Sequence, residues 1–226
     1  MIGVLVNVAT VLLGSLIGLV VKKGIPQRIS DAVMIGIGMC NICMGITGAM
    51  EGQNILVLIA SVVIGSVIGT LIDIDGKINS LGDAVSKRFS SHGKGSIAQG
   101  FVNGSLVFCV GAMTIVGSLD SGLRGDHEMI FTKAFLDLIS SSMLAVSLGV
   151  GVMFASLFVL VFQGGLVLLS QFVAPFLTET AIAEMSCCGS ILIFALGLNL
   201  MGVSKIKIAN YLPSIFIPPL ICFFIK

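Results

Sequence analysis

Ser105–Leu119 reads SLVFCVGAMTIVGSL, and Ser190–Ser204 reads SILIFALGLNLMGVS. Each is a serine, an apolar run, a glycine, and then a polar residue (Thr114, Asn199) three places ahead of a second glycine. Twelve positions separate the serine from the final glycine in both, Ser105 to Gly117 and Ser190 to Gly202. A glycine-broken apolar segment of nearly membrane-crossing length, used twice, points to a membrane fold assembled from related units.

Composition agrees. Of 226 residues, 56% are hydrophobic and 10% charged, and mean hydropathy is +1.14. A soluble fold needs more polar surface than this. Apolar runs cover Ile2–Val21, Val33–Met50, Ile55–Ile72, Phe101–Leu119, Leu144–Gln171 and Ser186–Val203, each near or above the roughly 20 residues that span a bilayer as helix. The first run carries its positive residues, Lys22 and Lys23, after the apolar stretch, opposite to a cleaved secretory signal, so it reads as a retained helix with its N-terminus outside.

The stretch from Phe131 to Phe176 exceeds one crossing and divides best at Leu148-Gly-Val-Gly151, where glycines permit a tight hairpin. Eight helices follow, expected near residues 3–22, 31–50, 54–72, 98–118, 131–148, 151–172, 184–203 and 208–225. Cytoplasmic loops collect Lys and Arg. With the N-terminus outside, nine positive residues fall inside (Lys22, Lys23, Arg28, Lys77, Lys87, Arg88, Lys94, Lys205, Lys207) and three outside (Arg124, Lys133, Lys226). The expected fold is therefore an all-α polytopic membrane helix bundle, one transmembrane domain over 1–226, with both termini outside.

A further correspondence joins the N-terminal part to the middle. Gly14-Ser-Leu-Ile-Gly18 leads through VVKKGIPQRISDAV to a helix ending MGITGAM; Gly65-Ser-Val-Ile-Gly69 leads through TLIDIDGKINSLGDAV to the helix ending MTIVGSL. Asp31-Ala-Val33 matches Asp83-Ala-Val85. A looser unit begins at Gly164-Gly165, passes TETAIAEM and ends LNLMGVS, with its linking loop on the opposite side. The repeat units are thus about 1–50, 54–119 and 151–204, the last inverted, with a cytoplasmic linker over about 73–97. Inverted repeats recur in secondary transporters, whose sites lie at the repeat interface near mid-membrane.

Aligning the three endings puts Gly45, Thr114 and Asn199 in one column, with Gly48, Gly117 and Gly202 three residues on. Glycines grouped with Thr or Asn let a helix unwind and present backbone groups to a solute, which membranes tolerate only where the backbone is buried or lines a wet cavity. The bland reading of GxxxG, at Gly14/Gly18 and Gly65/Gly69, is close helix packing. Among intramembrane polar residues, Asn103 and Gln163 adjoin glycines (Asn103-Gly104, Gln163-Gly-Gly165). Of the acids, Asp31 and Glu184 are expected at helix starts, where capping explains them. Asp137 is expected about one turn inside its helix, with Lys133 four residues earlier to neutralise it. The candidate substrate-binding set is Asn103, Thr114, Asn199, Gln163 and Asp137.

Other chemistries are not expected. The six cysteines lie in apolar runs, and Cys40-Asn-Ile-Cys43 has no second ligand pair to make a zinc site. His92 and His127 stand in separate loops. No nucleotide, metallohydrolase or nucleophile-elbow motif is present, so neither cofactor nor enzyme activity is expected. A net charge of +1 without a basic stripe argues against nucleic acid. The partners expected are the lipid bilayer and a small solute or ion. A homo-oligomer is left open, since a dimer could supply an antiparallel partner.

The segments QGFVNGSLVFCVGAMTIVGSLDSGLRGD, KAFLDLISSSMLAVSLGVGVMFAS, FQGG, LGLNLMGVSKIKIANYLP and the N-terminal GVLVNVATVLLGSLIG resemble the bacterial domain-of-unknown-function 554 family over essentially the whole chain. That resemblance implies a multi-pass protein of the bacterial cytoplasmic (inner) membrane, of a kind often labelled as transporters, and carries no substrate or catalytic residue. The leading expectation is a transporter or channel for a small solute or ion. The alternative is a scaffold or sensor subunit acting through the charged 73–97 segment, with Phe89 on a surface helix.

Overall fold

A backbone in lipid must satisfy its hydrogen bonds within each segment, so apolar runs of this length become helices. In a computed structural model, residues 1–22, 26–80, 97–109, 112–175 and 177–224 are described, and among them there is helix but no strand. The elements are α1 (Ile2–Lys22), α2 (Gln27–Ala49), α3 (Ile55–Ile72), α4 (Ile97–Cys109), α5 (Ala112–Leu123), α6 (Glu128–Leu148), α7 (Gly151–Leu168), the short α8 (Ser170–Val173), α9 (Glu179–Leu200), a 3-10 helix (Ile208–Phe216) and α10 (Ile217–Phe224). Residues 74–80 are also helical, beyond a left-handed Asp73 (φ 51°) that ends α3. Most of the charged linker, including Lys87, Arg88, Phe89, His92 and Lys94, lies outside the described residues.

Among the described residues, α1, α2, α3, α6, α7 and α9 are long and apolar enough to cross a membrane, and α4 with α5 makes a seventh span if the bent pair is one crossing. The eighth expected helix is a composite. Pro213 sits inside the 3-10 stretch, and Pro218 and Pro219 fall in the first turn of α10, where missing N–H groups cost least. Nine residues at 3-10 rise and eight at α rise still extend about 30 Å.

Glycine contacts fix how the segments run. A Cβ at Gly3 would meet Ile130, at Gly14 Ser141 and Leu138, and at Gly18 Ser142 and Ala145, so α1 and α6 are parallel. Gly100 lies on Gly151 and Gly104 on Ala155, so α4 and α7 are parallel. Along α2 and the turn after it, Gly38, Gly45, Gly48 and Gly52 face Met201, Phe194, Ser190 and Cys187 of α9 and its end, an antiparallel seam. Gly65 and Gly69 of α3 press on Ser214 and Asn210, again antiparallel. All four pairings agree with strict alternation of eight segments. The hairpin expected at residues 148–151 is present, with Gly149 at φ 74° between α6 and α7. Within this alternation α7–α9 runs opposite to α1–α2.

α9 is the central helix, with 78% of its apolar window buried against 17–44% for the other five long helices. One core joins α1, α4, α6 and α7 through Val11, Phe108, Leu144, Ala145, Val152 and Val159; another joins α4, α5, α9 and the 3-10 helix through Leu106, Ile115, Leu192, Leu196 and Ile215. The α4–α5 pair belongs to both. The outer faces of α1 and α3 leave large apolar side chains such as Leu5, Leu13, Ile17, Leu56, Ile59 and Leu71 exposed, as lipid contact requires.

Three expected helix starts shift. α2 begins at Gln27 rather than near 31, which puts Asp31 in its second turn, α6 begins at Glu128 rather than near 131, and α9 begins at Glu179 rather than near 184. For α9 the reason is a cap: the Thr178 hydroxyl accepts from the Ala181 N–H at 3.2 Å, and Glu179 follows in the first turn. Glu184 is therefore a fully buried residue in the second turn of α9, not the helix-start acid that the sequence suggested.

Candidate polar site at a broken span

α4 and α5 meet at an angle of 62°. Gly100 near the start of α4 lies against Gly151 at the beginning of α7, while Gly122 near the end of α5 lies against Val167 and Ser170 at its end. The broken pair thus travels the full length of α7 and crosses the bundle. A helix that stops inside a bundle leaves up to four carbonyls at its C-terminus and up to four N–H groups at the next N-terminus without helical partners. One of these carbonyls is answered locally: Thr114 Oγ1 donates to the Phe108 carbonyl at 3.1 Å, and Ser118 Oγ donates to the Thr114 carbonyl at 2.7 Å. Phe108, Cys109, Thr114 and Ser118 are all buried.

Beside the break lies a buried charge pair. Lys133 Nζ donates to both Asp137 carboxylate oxygens at 2.8 Å, and the residues are 6% and 3% exposed. They stand about 8 and 14 Å along α6 from its first residue. Asp137 is thus deeper than the single turn expected from sequence. Lys133, counted above among outer-side positive residues, is inside the span. Cys109, at the last turn of α4, is close enough to feel both charges. Two buried amides complete the cluster: Asn7 of α1 donates from Nδ2 to Gln163 Oε1 of α7 at 3.1 Å, and Asn7 lies beside the Asp137 side chain. Gln163 Nε2 has no partner. Three helices, α1, α6 and α7, therefore converge four polar side chains where α4 breaks.

A second polar group opens at the end of the bundle where α4 begins. Asp75, Asn79, Gln99, Asn103 and Asn199, with Ile206 and Ala209, line a cleft of about 170 Å³. Asn103, only 1% exposed, donates to the Gln99 carbonyl at 2.8 Å, and its Oδ1 has no partner. Asn199 is different. Its amide donates to the Ile206 carbonyl at 2.8 Å, and its oxygen accepts from the Ser204 hydroxyl at 2.6 Å and the Ile206 N–H at 3.0 Å. Those bonds close the turn after α9. Farther along α4, Ser105 and Cys109 line an apolar cavity of about 270 Å³ with Phe158, Phe162 and Phe216. α4 thus runs from the polar cleft, past an aromatic-walled space, to the buried pair.

Residues 2–223 match the model of a family described as Protein of unknown function (DUF554). The chain belongs to the DUF554 family. It is 31% identical over 229 residues to the Uncharacterized membrane protein YdfK of Bacillus subtilis (strain 168), covering 100% of this chain and 97% of that protein. It is 26% identical over 220 residues to the Uncharacterized protein YqgA of Escherichia coli (strain K12), covering 96% and 94%. No solved structure matches the chain.

In this DUF554 protein the five candidate residues divide between the two groups. Gln163 and Asp137 share the buried cluster, Thr114 ties the ends of the break, and Asn103 and Asn199 share the cleft. α4 ends at Cys109 and α5 begins at Ala112. The glycine grouping around Asn199 does not unwind α9, which runs unbroken through Gly197 to Leu200; Gly202 (φ 75°) lies in the turn beyond it. Gly45 sits in the α2–α9 seam, so the aligned column does not share one environment. Sequence reading gave Asn7, Lys133, Gln99 and Asp75 no place in the site. The i, i+4 spacing of Lys133 and Asp137 was visible, but the partnership of Asn7 with Gln163 spans 156 positions and had no local signal.

Proposed function

We propose that this protein is a bacterial inner-membrane transporter or channel, rather than an enzyme, passing a small polar solute or ion along α4. The observation that carries this reading is the broken span whose first half ends at Cys109 beside the Lys133–Asp137 pair, with the Asn7–Gln163 amides buried in the same bundle. Charged groups in the bilayer interior cost at least about 2.5–3.5 kcal/mol each, so they are kept where they serve a pathway. The cleft of Asn103, Gln99 and Asp75 forms the polar entrance on the lysine-rich side. Phe158, Phe162 and Phe216 wall a dry stretch that gates by excluding water. The excess of Lys and Arg in the loops on one side supports both termini outside and the entrance on the cytoplasmic side.

The test is solvent access at the break. In a variant keeping only Cys109, and in another with Thr114→Cys as the sole thiol, a small charged thiosulfonate reagent is added to either face of vesicles. Labelling that a permeant solute slows supports a pathway. Complete protection of both thiols from both sides refutes it and favours the scaffold reading, which the closely packed glycine seams of α1 and α2 would also suit. Deleting Ser86–Gly95 then separates the two: a scaffold loses its partner, while a transporter keeps its pathway.

A further inference from the structure

Glu184 is 0% exposed and takes no part in the pathway above. Its Oε1 accepts two short bonds, from the Gln53 and Asn54 backbone N–H groups, both at 2.7 Å. These are the last residues of the α2–α3 turn, and Asn54 caps α3 by accepting from the Leu56 N–H at 3.0 Å. Two backbone amides on one oxygen hold the carboxyl group in a fixed orientation. The other oxygen, Oε2, is buried and has no partner. Neither ion pair found among the described residues involves it. A buried charge with one bare oxygen is expensive unless something positive is supplied.

Space for it exists. Glu184 walls a cavity of about 260 Å³ with Ala49, Gly52, Gln53, Asn54, Ile55, Leu58 and Cys187. The oxygen inventory is that of a hard cation: the Glu184 carboxylate, the Gln53 side-chain carbonyl, which accepts a long 3.5 Å bond from Thr180, and the Ala49 carbonyl, which also accepts from the Cys187 thiol at 3.2 Å and the Gly52 N–H at 3.4 Å. Glu51 on the same turn and Glu179 at the start of α9 add negative charge at this end. Among the described residues, Glu184 is the one carboxylate lining the cavity, which suits a cation of single charge.

We propose that Glu184 and the α2–α3 turn form a binding site for a monovalent alkali cation, which locks α9 to the start of α3. The site is separate from the broken span, and its test reads binding without transport. The full-length protein, purified in detergent, is unfolded thermally in equal concentrations of choline, lithium, sodium and potassium chloride. Helical circular dichroism serves as the signal, because the chain has no Trp. At least one alkali cation is expected to raise the midpoint over choline by about 2 °C or more, saturating with concentration. Glu184→Gln, which keeps an acceptor for both amides but removes the charge, is expected to abolish the rise. No cation-specific rise in the wild type overturns the proposal, as does an undiminished rise in Glu184→Gln. Should that variant fail to fold, infrared difference spectra of the wild type on exchanging choline for the cation decide. A saturable shift of a carboxylate stretching band is expected, and its absence overturns the site.

Discussion

Replacing Lys133 by Met and Asp137 by Leu, singly and together, isolates what the buried pair contributes. Their side chains are 8% and 5% exposed and meet at 2.8 Å, so neither has water to fall back on. Removing one partner leaves the other as an uncompensated buried charge, at a cost of about 3–5 kcal/mol. Removing both exchanges a desolvated ion pair for apolar contacts of similar shape, which is neutral or stabilising by up to about 4 kcal/mol. A double-mutant cycle should therefore give a coupling of at least about 3 kcal/mol, with the double variant more stable than either single one. The assay is reversible unfolding in mixed micelles of rising dodecyl sulfate fraction, followed by far-ultraviolet circular dichroism. A single substitution costing under about 1 kcal/mol, or a double variant as unstable as the summed singles, refutes the assignment of a tight buried pair. The double variant also separates stability from function. It should fold, yet lose passage of whichever solute the wild type carries in vesicles.

Three further outcomes follow from the packing and hydrogen bonds. Gly14→Val would drive its side chain onto the Leu138 carbonyl and Ser141 and should cost about 1–3 kcal/mol or prevent folding, whereas Gly165→Ala, with nothing within 4 Å of a new Cβ, should be neutral or slightly stabilising; thermal midpoints compare them. Thr178→Ala removes the α9 cap and should lower stability by about 1 kcal/mol, read in the same micelle titration. Asn199→Ala opens three hydrogen bonds of the turn after α9 and should cost about 1–3 kcal/mol, while Asn103→Ala removes one local bond and should leave stability nearly unchanged but alter solute passage; limited proteolysis near residues 201–207 and vesicle uptake distinguish the two.

Much of the architecture was legible before any coordinates. Lipid leaves no alternative to internally bonded helices, so long apolar runs declare spans directly. Glycines at 148–151 mark the α6–α7 turn because a positive φ is needed there, and alternation then follows from counting. Polar helix ends were less legible. Thr178-Glu-Thr reads as loop by hydropathy, although a Thr followed by an acid is also a cap. The last segment looked like an ordinary helix because its apolar content is high; its prolines, lacking N–H groups, decide otherwise.

Sequence alone determined that this chain lives in a bilayer as an alternating helix bundle, because apolar length and charge placement are properties of single segments. It also marked Asn103, Thr114, Asn199, Gln163 and Asp137 as worth watching, since polar groups in lipid must find partners. Only the tertiary structure decided who those partners are. Asn199 spends its bonds on its own turn, Gln163 reaches Asn7, and Glu184 reaches from α9 to hold the α2–α3 turn. The same pattern of glycines serves as a packing seam in α2, accompanies a break between α4 and α5, and marks a stop after α9. A glycine only permits close approach or unusual backbone; which of these occurs depends on the surface that packs against it.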